Sequence, residues 1–156
     1  MEFNELMQQF AARLGLNELT QDGDTVALEI DGIPFGFLMD ESSGMMIIAA
    51  DLGIQPESAD RPLGSMMLKA NFLYEALQGA VLFQNPDNEA FGIQQRFRLV
   101  DLDVDSLYEN VERLSNMAEE WRSIVEGYGE AAAAAKELSA KEPQVSPFAA
   151  GGFMQV

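Results

Sequence analysis

Apolar positions at the start of the chain recur with a helical period. Phe3, Leu6, Met7, Phe10, Ala11 and Leu14 fall at i, i+3, i+4, i+7, i+8 and i+11, followed by Gly15. That spacing predicts an amphipathic helix ended by the glycine. The period then changes to two. Val26, Leu28 and Ile30 alternate before Asp31-Gly32, and Ile33, Phe35, Phe37 and Met39 alternate after it. An Asp-Gly pair between two alternating runs predicts a two-residue hairpin, because both central positions need positive φ. The run GMMIIAADLG after the turn-forming ESSG is nearly continuous in apolar residues and predicts a third strand of an antiparallel meander.

Residues 51–61 read as a loop, with Asp60 and Pro62 placed to open a second helix that runs to Gly79. AVLFQ and AFGIQQRFRLV then form two strands around the turn residues NPDN. In the second of these strands Gln94, Arg96 and Arg98 share one face and Phe91, Ile93, Phe97 and Leu99 the other. A last helix carries Leu107, Val111, Leu114, Met117 or Ala118, Trp121 and Val125 at helical spacing. The expected fold class is α+β, in the order α-β-β-β-α-β-β-α, an antiparallel sheet packed against helices. Residues 1–126 form the domain. Residues 127–142 are Ala-rich and extend the helix, and 143–156, with no charge, two prolines and a Gly-Gly pair, form a flexible tail.

The second helix is apolar on two sides. Leu63, Met66, Met67, Ala70, Leu73, Tyr74 and Leu77 cluster on one arc, while Leu68, Phe72 and Ala76 follow i, i+4 and i+8 on nearly the opposite side. One sheet covers one side only. A stripe of Leu68, Phe72 and Ala76 flanked by polar groups is therefore assigned to the interface of a homodimer, the commonest closed assembly, the alternative being that the first or last helix of the same chain covers it.

Composition narrows the chemistry. The 156 residues contain no cysteine and no histidine, and 47% are hydrophobic. One core can form without disulfides, and thiol nucleophiles, histidine bases and the usual zinc sites are excluded. No GxxxxGK[ST] or GxGxxG segment is present to hold a nucleotide, so neither a cofactor nor an enzyme activity is expected. Nine basic against 26 acidic residues give a net charge of −17, which repels nucleic acid and anionic lipid and favours basic partners. The start of the chain lacks the pattern of a signal peptide, and no run approaches the length of a membrane span, so no membrane insertion and a cytoplasmic location are expected. DLDVDSLYENVE, residues 101–112, imitates a calcium loop, but Ser106 stands where the sharp turn wants glycine. A capping box of Ser106 and Glu109 is the better reading of that segment.

The runs MLKANFLYEALQGAVLF, FGIQQRFRLVDLD and DSLYENVERLSNMAEEWRSIV resemble the Tir-chaperone family, the class I secretion chaperones of bacterial type III systems. With the first helix and the meander, the resemblance covers about residues 3–126. It implies an acidic homodimer built on the second helix, bacterial and cytoplasmic, that binds the N-terminal segment of a secreted effector protein in extended, secretion-competent form. The alternative is an adaptor or regulatory interaction domain of the same fold. An extended partner needs apolar grooves and strand edges. The candidate groove residues are Phe35, Phe37 and Met39 on the second strand and Met46 and Ile48 on the third, with ordinary core as the alternative for each. Nine methionines suit such a surface, because Met repacks around different apolar anchors.

Overall fold

The computed structural model describes residues 1–54, 63–72 and 75–141, with only the backbone given for 128–136 and 139–141. Helix α1 (Phe3–Arg13) buries Phe3, Leu6, Met7, Phe10 and Ala11, the residues its periodicity marks. Strands β1 (Thr20–Asp22), β2 (Thr25–Ile30), β3 (Ile33–Asp40) and β4 (Met45–Ile54) follow, then helix α2 (Leu63–Phe72), strands β5 (Val81–Gln84) and β6 (Ala90–Arg98), and helix α3 (Val104–Lys141). They form an α+β fold. The six strands make one antiparallel sheet in the order β1-β2-β3-β4-β6-β5.

The β2–β3 turn has the predicted chemistry, with φ of 51° at Asp31 and 76° at Gly32, the two positive values that a type I′ turn requires. One strand is absent from the sequence reading. Thr20, Gln21 and Asp22 are polar and all exposed, so no alternation announces β1. The second helix is also shorter than expected. It ends at Phe72, residues 75–79 form a turn with positive φ at Gln78 and Gly79, and the expected Leu73 and Tyr74 lie outside the described residues.

One face of the sheet carries the core. Val26, Phe35, Phe37, Met46, Ile48, Ala50, Leu82 and Ile93 are buried there together with α1 and with Leu107, Val111, Leu114, Ala118 and Val125 of α3. Arg13 ties the two helices together by pairing with Asp105 and stacking 4.5 Å over the Tyr108 ring. Arg122 Nη1 donates to Gly32 O at 2.8 Å, which fastens α3 to the β2–β3 turn. The helix continues to Lys141, well past Val125, its last described buried residue.

The capping box of α3 lies three residues earlier than expected. Ser106 N donates to Asp103 Oδ1 at 2.8 Å and Asp103 N donates to Ser106 Oγ at 2.9 Å, so Asp103 is the cap and Ser106 its reciprocal partner. The Ser106 hydroxyl and amide hold the Asp103 carboxyl below its ordinary value of 3.8. A group whose folded pKa is depressed contributes stability above its unfolded pKa and loses it as pH falls through the folded one. Asp103→Ala is expected to lower the melting temperature by about 3 °C at neutral pH. That difference should shrink as pH falls below 3.8 through the depressed folded-state value, and equal melting at pH 7 would show that the cap contributes nothing.

Candidate protein-interaction surfaces

The expected groove residues belong to the core. Phe35, Phe37, Met46 and Ile48 are at most 2% exposed, and Met39 is partly buried against the same cluster. The first four belong to the core shared with α1 and α3 and cannot meet a partner without unfolding the chain, while Met39 keeps part of its surface accessible. The reason is strand parity. β3 and β4 are apolar in both registers, and side chains on successive residues point to opposite faces. The core takes the odd positions of β3 and the even ones of β4. What is left facing outward is Pro34, Gly36 and Leu38 on β3, with Met45, Ile47 and Ala49 on β4.

This outer face has relief. Ala27, Gly36 and Ala49 lie side by side across β2, β3 and β4, and continue into Gln94 and Val81 on β6 and β5. The row is floored by the smallest side chains. On one flank stand Leu38, 41% exposed, and Ile47, with Arg96 next in line. On the other flank stand Pro34 and Phe83. Phe83 lies over Gly92, where an added Cβ would collide with the ring. At the end of the sheet that bears the β2–β3 and β5–β6 turns, Pro34, Gly36, Ala49, Phe83 and Gly92 line an open groove of about 240 Å³ with Asp51, Asn85 and Asn88 at its rim, and Leu38 and Ile47 stand outside it on the same face. Arg98 pairs weakly with Asp101 at 3.8 Å, and Arg96 makes no ion pair among the described residues.

Antiparallel strands that are apolar on both faces are normally covered on both. Here no helix lies over the outer face among the described residues. The surface has the make-up of a docking site: a small-residue floor, aliphatic and aromatic walls, a polar rim and a cation at one side.

The second surface is on α2. Leu63 and Met67 are buried against the sheet, while Leu68 is 72% exposed and Phe72 88% exposed on the far side. Ala76 is also exposed, in the turn beyond the helix. Between α2 and β5 runs a further groove of about 200 Å³, lined by Gly64, Met67, Leu68, Leu82, Phe83 and Phe91.

The two sheet edges differ. At β5, Asn71 Nδ2 donates to Leu82 O at 2.9 Å and Leu82 N donates to Asn71 Oδ1 at 2.8 Å. The side-chain amide occupies the backbone groups that an added strand would use. β1, at the opposite edge, is short, exposed and free of any such plug among the described residues. No helix of the described residues is long and apolar enough to cross a membrane.

Comparison with known proteins adds the relationship. Residues 5–122 match the model of the Tir chaperone protein (CesT) family. No curated protein sequence matches. The fold is similar to a chain of the ExsC-ExsE complex, with a TM-score of 0.69 and 16% identity over 78% of this chain and 92% of that one. It is similar to a chain of the HopA1-SchA chaperone-effector complex, with a TM-score of 0.65 and 16% identity over 78% and 93%. It is also similar to a chain of the complex between the Yersinia pestis type III secretion chaperone SycH and a stable fragment of YscM2, with a TM-score of 0.60 and 15% identity over 77% and 99%.

Proposed function

The chain belongs to the Tir chaperone protein (CesT) family, and from that membership we propose that it is a type III secretion chaperone of the bacterial cytoplasm. It binds the N-terminal segment of a secreted effector protein and holds it extended. One observation carries this reading: the two central strands of the sheet present a second apolar face, where Leu38 and Ile47 stand beside a groove lined by Pro34, Gly36, Ala49 and Phe83, and no element of the described residues covers it.

Holding a segment extended has an entropic cost of about 1–2 kcal/mol per ordered residue. Apolar burial returns about 25 cal/mol per Å². One groove of about 240 Å³ accepts only a few side chains. A long segment crossing two such faces gains several anchors for one loss of translational freedom. The proposal therefore includes a homodimer, joined through the exposed Leu68 and Phe72 side of α2. A net charge of −17 speeds encounter with a basic segment. No catalytic step and no cofactor belong to the reading. Its acid groups include 26 Asp and Glu without any His or Cys to act beside them.

The test is to recover the tagged chain from its native cells, digest the complex lightly and sequence the fragment that survives. A stoichiometric partner protected only along an N-terminal stretch is expected. A partner protected as a whole folded domain would overturn the chaperone reading in favour of an adaptor.

A further inference from the structure

Taking the outer face to receive an extended segment, as read above, we propose that Arg96 selects a segment that carries a carboxylate. The other arginines of the described residues are engaged. Arg13 pairs with Asp105, Arg98 with Asp101 and Arg122 with Glu126, while Arg113 Nη2 donates to Gln95 Oε1 at 3.1 Å and to Asn110 Oδ1 at 2.8 Å. Arg96 is exposed and has no hydrogen bond, ion pair or ring contact among the described residues. In a chain with 26 acidic and 9 basic residues, an arginine stays unpaired only where the acids are kept away from it.

Strand register keeps them away. Thr25, Leu38, Ile47 and Arg96 form one row across β2, β3, β4 and β6 on the outer face. The next row toward the groove, Ala27, Gly36, Ala49 and Gln94, holds no acid either. On the other side lies the row of Asp40, Met45 and Arg98. Its carboxylate is two strands from Arg98 and already engaged, because Ser42 Oγ donates to Asp40 Oδ1 at 2.6 Å and Ser43 Oγ to Oδ2 at 2.7 Å.

The free acids of this face stand at its groove end. Glu29, beside Pro34, and Asp51, beside Gly92, lie four residues along the strands from the row of Arg96. At about 3.3 Å per residue the separation is about 13 Å, more than the roughly 8 Å over which charges act at physiological ionic strength. The face is therefore cationic at Arg96, anionic at Glu29 and Asp51, and apolar between. A net charge of −17 is screened over the same length, so a carboxylate arriving at Arg96 meets the arginine and not the sum of the molecule. The segment that fits lies along the strands with apolar side chains over Gly36 and Ala49, and carries an Asp or Glu about four residues from a Lys or Arg. A uniformly basic segment would set like charge against Arg96 and is rejected.

The probe is a phage-displayed library of random dodecapeptides, selected on the immobilised full chain. Peptides lost when Gly36→Gln fills the floor are those seated on this face. A Cβ at Gly36 meets no atom within 4 Å, so the fold accepts that substitution. Among these peptides Asp or Glu is expected about threefold more often than in the unselected library. Selection on Arg96→Glu, altered at an exposed position without a partner, is expected to exchange that acid for Lys or Arg. A synthetic peptide from the first selection and its counterpart with the acid changed to lysine should then reverse their order of affinity between the two chains, by about tenfold in each case. Face-seated peptides without an acidic excess, or affinities that Arg96→Glu leaves unchanged, overturn the inference and leave the docking face standing. Peptides indifferent to Gly36→Gln, or an empty selection, overturn both.

Discussion

If the proposed homodimer forms through α2, a Phe72→Glu chain is expected to run as a folded monomer where the unaltered chain runs as a dimer. Phe72 is 88% exposed and Leu68, one turn earlier, 72% exposed, so neither side chain supports the fold of its own chain. At a twofold interface each substitution acts twice. Losing the burial of one phenylalanine costs about 1.5–3 kcal/mol, so two cost about 3–6 kcal/mol. That weakens association by about a hundredfold to ten-thousandfold, before the cost of burying two carboxylates is added. Light scattering after size exclusion reads the mass, and circular dichroism verifies the fold. An intact dimer with Glu at position 72 would remove α2 from the interface. A melted chain would place Phe72 in a core that the structure does not show.

Two neighbouring substitutions on β4 are expected to separate binding from folding. Ile47→Asp should leave the chain folded and weaken binding of the partner's N-terminal segment by about 30-fold to 150-fold, the consequence of losing 2–3 kcal/mol at a central anchor. Ile48→Asp should abolish folding, because Ile48 is fully buried between the sheet and the helices and an unpaired carboxylate there has no compensation. The pair is one residue apart and the expected outcomes are opposite. Titration calorimetry with the partner segment measures the first, and thermal melting the second. If Ile47→Asp binds with unaltered affinity, the partner does not use the outer face.

The sequence made the element order legible where one face alone was apolar. The Phe3, Leu6, Met7, Phe10 series became α1 with those side chains buried, and the Asp31-Gly32 pair became a type I′ turn. The Leu68 and Phe72 stripe was legible too, because its residues are too many for a helix lying on one sheet. The groove was not, and the cause is the composition of β3 and β4. IPFGFLM and MMIIAA have apolar residues at both parities, so alternation marks no face as the inner one. A cue existed in size. The inward series Phe35, Phe37, Met46 and Ile48 is bulky, and the outward series contains Gly36 and Ala49, the small residues that a docking element needs beneath it. β1 escaped notice because three exposed polar residues carry no periodic signal, and its pairing to β2 is decided by the backbone alone. The cap of α3 was displaced by one turn because Asp103 and Ser106 satisfy the same three-residue spacing as Ser106 and Glu109.

The side-chain amide of Asn71 bears on how this protein behaves when concentrated. β5 reads Val-Leu-Phe-Gln, a short, apolar, uncharged strand at the end of a sheet, the kind of terminus on which identical chains stack into fibrils. By occupying both backbone groups of Leu82, Asn71 terminates the ladder as a chain stopper terminates a polymer. Growth by strand addition then has one direction only, from β1. Two molecules meeting β1 to β1 leave no free end for a third, so pairing through strands closes at two chains instead of propagating.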